Sequence, residues 1–471
     1  MLFHSPVFLL MMLLTLLLVR ALPRARTPIL ALANLLFYGA AGPEYLALFL
    51  GIAAATHALS IGIARGIRPR LLLGLGVGLN LLNLGIFKYT GFVAENLERL
   101  LHLGLDPSAF RLLLPVGISF YTFQLIAYLV DVYRQELPPA RSLLHFWVFI
   151  AFFGQLIAGP IMRGKEFLPQ IEADANLAPD QRQRRYGAFL FIIGLIKKVC
   201  LADLLAPRAD AFFDLAWSLG AVEAWIAASL FAFQIYFDFS AYSDMAVGIG
   251  HLFGYRLTDN FRTPYLAGNP AEFWRRWHIT LSRWIRDYVY IPLGGSRRGE
   301  GRAVAALLVA MGLSGLWHGA AWTFVVWGLY HGLLAAGHRL WSRRVGERFR
   351  WPLPGWAVRW LSIVLMFQAT TIGWVFFRAE GMGVALHLVR QMLTLANLNV
   401  SAFNLRYLAL IGLLWLLHLG EFWFRHRQVA VYEGWRRWVP SPLRALVYSA
   451  VIAVLAVLAS GEPSTFIYFE F

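Results

Sequence analysis

Three clusters of ionisable and hydroxyl-bearing residues interrupt a chain that is otherwise strongly apolar. The first, residues 234–244 (QIYFDFSAYSD), sets Asp238 and Asp244 among Ser240, Tyr242 and other hydroxyls within one apolar run. An ionisable group inside such a run is expensive, so it marks either function or deliberate pairing. On a helix Asp238 and Tyr242 share a face, as do Ser240 and Asp244, while the two carboxylates, six residues apart, do not stack. Two readings stand for them: an acid–base pair, or carboxylates that pair with Arg or hydroxyls and hold bundled helices together.

The second cluster is Glu272, Trp274, Arg275, Arg276, Trp277 and His278, followed by Arg283, Arg286 and Asp287. Guanidinium forks match phosphate oxygens, so an anionic ligand such as coenzyme A, with its phosphates, suits a basic entrance here. Ordinary contact with lipid headgroups from a Trp-lined interface suits it equally. His278, amid arginines, tends to stay neutral, which fits it for hydrogen bonding to a carbonyl. The third cluster is 314–322 (SGLWHGAAW). His318 there is either a satisfied core residue or a neutral imidazole serving as general base near pH 7. The small residues on either side let another chain or a substrate approach closely.

The elements that carry these clusters follow from composition. Of the 471 residues, 59% are hydrophobic and 14% charged, against about 25% charged in soluble domains. Mean hydropathy is +0.59. A spanning helix needs roughly 20 mostly apolar residues. Runs fit for that role lie at 2–19, 27–43, 45–64, 71–91, 111–133, 143–160, 186–205, 219–251, 302–318, 320–341, 356–377, 405–425 and 443–460. Some are too short or too polar for a full span, which predicts re-entrant or broken helices in the middle of the chain. Residues 259–302, dense in Arg, Trp and Pro, read as amphipathic interfacial helices and a loop.

The net charge of +16 resides in the gaps between apolar runs, where the positive-inside rule accounts for it and nucleic acid is not needed. Residues 1–19 lack a basic start and are followed by Arg20, Arg24 and Arg26, the reverse of a secretory signal. With Arg65, Arg134, Arg182, Arg343 and Arg436 and their neighbours on the cytoplasmic side, both termini fall outside. Cys200 is the one cysteine, so no disulfide framework or Cys-based metal site is expected. Neither His318 nor His331 has partners at ligand spacing, so no metal is expected. His331 reads as a polar residue at a helix contact.

Residues 112–134, 156–160, 234–245, 260–298 and 315–332 (GLWHGAAWTFVVWGLYHG) resemble the hallmark blocks of the membrane-bound O-acyltransferase (MBOAT) family, within it the branch of bacterial alginate O-acetyltransferase membrane subunits. The resemblance implies an all-α polytopic membrane protein, a single domain over 1–471. It would have about 11–13 transmembrane or re-entrant helices ringed around a through-membrane tunnel. His318 would be the essential base and His278 a second signature histidine, with Asn260, Trp274, Arg275, Arg276, Trp317, Asp238, Tyr242 and Asp244 along the tunnel. The donor would be cytoplasmic acetyl-CoA, with no permanently bound cofactor. The acceptor side would be an exported polysaccharide, reached at the bacterial inner membrane through a periplasmic SGNH-type acetyltransferase with a serine nucleophile. The aromatic tail, 461–471, reads as an interfacial belt. By the same resemblance it instead carries Tyr468 as an acyl relay. A transporter or a scaffold subunit of an export complex is the alternative function. Paired inverted repeats, which favour a transporter, are not seen.

Overall fold

The computed structural model describes residues 3, 5–173, 180–346, 352–395, 398, 400–458 and 466. Helices dominate them, and no strand occurs among the described residues. Six helices are long and apolar enough to cross a membrane: Pro43–Ala64, Pro69–Leu101, Ala221–Leu252, Glu300–His318, Gly355–Arg378 and Ala402–Arg425. A seventh span arises if Pro6–Ala21 and Pro23–Gly39, bent by 119°, act as one.

Local chemistry sets the ends. Proline opens the Pro6, Pro43 and Pro69 helices, where its missing N–H costs nothing. Ser142 and Ser401 cap the helices that follow them. The apolar run at 111–133 becomes helical only from Ile118, because Pro115 precedes Gly117, whose φ of 74° breaks the helical path. Likewise the run at 143–160 is helical only over Leu143–Ala151. Residues 152–160, with Gly154, Gly159 and Pro160, continue as buried irregular chain. That is tolerable in a membrane protein because it is enclosed by protein. The run at 186–205 is interrupted by a π-turn at Lys198–Ala202, and the helix Met382–Thr394 has no counterpart among the expected spans.

The chain divides into two compact units, Met1–Gly194 with Tyr242–Asp259, and Leu195–Ala241 with Asn260–Phe471. In the first, Asn80 Nδ2 donates to Thr56 Oγ1 (3.2 Å), Asn83 Nδ2 to the Tyr121 hydroxyl (3.2 Å), and Ser60 bonds Tyr128 (3.0 Å). These bonds tie three neighbouring helices together where apolar contact alone gives little drive in lipid. Arg26 donates to the Phe253 carbonyl. Asn34 Oδ1 accepts from the Phe153 N–H of the irregular chain at 3.1 Å, satisfying backbone that no helix satisfies. The second unit holds both histidines of the expected site. Its centre is the hairpin of Glu300–His318 and Trp322–Trp341.

Candidate active site

That hairpin is built on glycine. A Cβ on Gly315 would strike the Phe324 carbonyl, and one on Gly328 the Met311 carbonyl. The two backbones therefore touch, as small residues permit in membrane helices. Gly319 is bare for the same reason, with the Phe324 ring lying where its side chain would be. The close approach expected beside His318 is thus made by this chain's own Trp322–Trp341 helix.

His318 is the last residue of its helix and is 4% exposed. Its ring lies among Trp317 (4.9 Å between centroids), Trp327 (5.0 Å), Phe377 (5.4 Å) and His278 (6.4 Å). His278 sits in the turn between the short helices Pro270–Trp274 and Ile279–Ile285 with φ of 39°. Asn269 starts that region by capping the Glu272 N–H at 2.8 Å. The segment is amphipathic: Phe273, Trp277, Trp284 and Ile285 are buried, while Arg275, Arg283 and Arg286 are exposed.

Asn260 fixes the chemistry of His278. Its Oδ1 accepts from the Thr280 N–H (3.1 Å) and the Thr280 hydroxyl (2.9 Å), and lies 3.2 Å from His278 Nδ1. A backbone N–H can only donate, so the Asn260 atom is the oxygen and His278 Nδ1 carries the proton. Nε2 is then the basic nitrogen. Burial pushes the His278 imidazole down to about 3, so it is neutral at physiological pH. Phe239 packs edge-on to His278 at 4.7 Å, and Phe466, 2% exposed, packs on Phe239 at 5.9 Å. The tail thus reaches the histidine's neighbourhood at Phe466. Tyr468 lies outside the described residues.

A cavity of about 480 Å³ lies in the same unit, and neither His278 nor His318 is among the residues that line it. Arg286, Tyr290, Arg339 and Arg343 line it, and so do Trp274, Met311 and Ser314. Ser314 is one helical turn before His318 and shares its face. Arg339 gives Nη1 to Ser296 Oγ (3.2 Å), and its Nε and Nη2 have no hydrogen-bond partner among the described residues. The other residues expected along a tunnel are placed as follows. Arg275 is exposed. Arg276 pairs with Glu272 at 2.7 Å, as does Arg359. Asp238 is held by Lys198 Nζ at 2.8 Å, and the same ammonium meets Asp203 at 2.8 Å. Tyr242 and Asp244 belong to the first unit, where Tyr242 stacks on Phe3 at 4.2 Å.

A buried polar network in the second unit had no counterpart in the sequence reading. Lys197 and the Tyr236 hydroxyl both reach the Glu421 carboxylate, with Arg425 at 3.5 Å. Arg425 Nη1 also donates to the Phe261 carbonyl (2.7 Å), next to Asn260. The available signal was Glu421 and Arg425, four apart at the end of a long apolar run, the pattern of intramembrane charges that pair. Among the described residues no group of three His, Cys, Asp or Glu is placed to hold a metal ion.

Comparison with known proteins gives the same picture. A profile of the membrane-bound O-acyltransferase family matches residues 134–376. The chain is 37% identical to the probable alginate O-acetylase AlgI of Pseudomonas putida over 95% of each chain. It is 39% identical to the peptidoglycan O-acetyltransferase of Helicobacter pylori over 79% of this chain and 74% of that one. With the teichoic acid D-alanyltransferase of Bacillus subtilis it shares 30% identity over 56% and 69% respectively. With His278 and His318 brought to 6.4 Å between ring centroids inside a multi-pass helical protein, and with these relatives, the chain belongs to the membrane-bound O-acyltransferase family and is an O-acyltransferase.

Proposed function

We propose that the enzyme takes an acetyl group from cytoplasmic acetyl-CoA and passes it across the inner membrane for O-acetylation of an exported polysaccharide. The observation that carries this reading is the cavity. It has arginines at one part of its lining, one of them with two unpartnered N–H groups, and Ser314 at another, a turn from His318. Phosphates suit the arginines, and an acyl thioester suits the aromatic depth. The charged donor then stays on its own side of the bilayer, which it is too polar to cross. The relatives named for acetylating alginate and peptidoglycan support acetyl as the group and an extracytoplasmic glycan as its destination.

In the step itself His318 removes the proton of an accepting hydroxyl as its oxygen attacks the thioester carbonyl. The carbon–sulfur bond breaks, and the thiolate leaves with the proton that His318 took. His278, basic at Nε2, hydrogen-bonds the reacting groups. Tyr468 supplies the accepting hydroxyl and holds the acetyl as an ester until the serine of a periplasmic SGNH-type acetyltransferase collects it. The buried Phe466 supports a tail that folds toward the histidines.

Membranes containing the protein, given radiolabelled acetyl-CoA, test this. Wild type should retain label on Tyr468, and His318→Ala should lose it by roughly 10²–10⁴-fold, the usual contribution of a general base. Tyr468→Phe preserves the aromatic packing, so near-normal glycan acetylation in that variant would remove the relay. Undiminished acetylation in His318→Ala would remove the base.

A further inference from the structure

His331 is wholly buried, and neither ring nitrogen has a hydrogen-bond partner among the described residues. The indole N–H groups of Trp327, also wholly buried, and of Trp274 are likewise unpartnered there. The three rings are neighbours: His331 lies 5.3 Å from Trp274 and 5.1 Å from Trp327, and the indoles are 6.0 Å apart. Buried polar atoms without partners cost more than the hydrogen bonds they forgo, and their clustering points to a polar guest. Trp327 stands against the His318 ring, and Trp274 lines the cavity. The helical stripe Trp327, His331, Ala335, His338, Ser342 is spaced 4, 4, 3 and 4, and its last three residues line the cavity. His331 and Trp327 therefore continue the cavity's own wall toward the catalytic histidine. At 1.5 Å per residue, Ser342 to Trp327 is about 22 Å, the scale of an extended pantetheine arm with its acyl group.

We propose that His331, with the indole N–H groups of Trp274 and Trp327, hydrogen-bonds the amide-bearing arm of the acyl thioester donor. With Nε2 shut against Gly373, the His331 imidazole offers its Nδ1, and each indole offers one donor; a secondary amide has both an N–H and a carbonyl to meet them. An alkyl chain would leave every one of these groups unsatisfied. This rests on the acetyl-CoA reading above and adds to it the residues that recognise the uncharged arm. Gly373 presses on the His331 ring, with the position of its absent Cβ 2.6 Å from Nε2, so the imidazole is held in one place. His331 is a positioning residue here: it holds the donor and leaves proton transfer to His318.

Binding to the purified full-length protein in detergent tests this, with acetyl-pantetheine and the adenosine bisphosphate fragment of coenzyme A as separate probes. His331→Leu should weaken acetyl-pantetheine roughly tenfold, the worth of one or two hydrogen bonds. His331→Gln, which keeps a donor and an acceptor, should weaken it less than threefold. Neither variant should change binding of the bisphosphate, which meets only the arginines. Unchanged acetyl-pantetheine affinity in His331→Leu overturns the assignment and leaves water as the guest. Equal loss of both probes also overturns it, as damage to the fold. Wild-type protein that binds neither probe overturns the donor reading itself and this inference with it.

Discussion

Glu272 is the hinge on which the residues around His278 turn. Its carboxylate takes Arg359 through both oxygens (2.7 and 2.8 Å), Arg276 at 2.7 Å, and the Gly268 N–H at 2.8 Å. Hydrogen bonds from Arg359 hold the carboxyl at about 2, against a partial opposing effect of burial. The unfolded chain therefore binds a proton before the folded one does as pH falls. The stability from Glu272 is complete above its ordinary value of 4.5 and is lost between there and about 2. A thermal melt in detergent should show wild type losing melting temperature over that window, with Glu272→Gln already lowered at neutral pH and flatter below. Parallel curves for the two proteins would refute the linkage. At this scale the sequence pointed to His278 and His318 through the Trp- and Gly-rich blocks around them, although 40 residues separate the two. It did not point to Lys198 as the partner of Asp238, because pairing across distant segments leaves no local spacing to read. The sequence reading has carboxylates of the 234–244 run paired with Arg or hydroxyls, and the partner that Asp238 takes is instead a lysine.

The helical hairpin is the element whose geometry sets the position of His318. Alanine at Gly315 or Gly328 places a methyl against a backbone carbonyl that cannot rotate away. Each should cost about 1–3 kcal/mol as an overpacked contact and should lower acyl transfer by displacing His318. Gly337, on the same Trp322–Trp341 helix, has nothing within 4 Å of its missing Cβ. Gly337→Ala should leave stability unchanged or raise it, since alanine is the better helix former. Chemical unfolding of the three variants checks both halves, and equal behaviour would show that the contact is not tight. Helix existence was readable wherever an apolar run was long, as for Ala221–Leu252 against the expected 219–251. Two kinds of element escaped. Met382–Thr394, 13 residues with His387 and Arg390, is too short and too polar to register as a span. The buried chain after Ala151 looked like helix because apolarity reports burial, while conformation there is set by Gly154, Gly159 and Pro160.

For the whole molecule, charge and cavity must agree about direction. The arginines lining the cavity, Arg286, Arg339 and Arg343, have to face the cytoplasm if acetyl-CoA is to enter. Ser342, exposed and part of that lining, is a convenient reporter, because Cys200 is the one cysteine to remove first. In the double variant Cys200→Ser/Ser342→Cys, a membrane-impermeant maleimide should label inverted vesicles and spare intact spheroplasts. The opposite pattern would turn the topology over. The division of the chain into two units carries a different consequence, for biosynthesis. The first unit is incomplete until Tyr242–Asp259 has been made, yet Leu195–Ala241, which belongs to the second, leaves the ribosome before it. Vectorial synthesis usually lets an N-terminal body close before its successor begins; here the helix Ala221–Leu252 supplies residues to both units, so the first is complete only after part of the second has been made. No single cut yields two whole halves, since a break after Gly194 strands Tyr242–Asp259 and a break after Asp259 strands Leu195–Ala241 with the wrong partner.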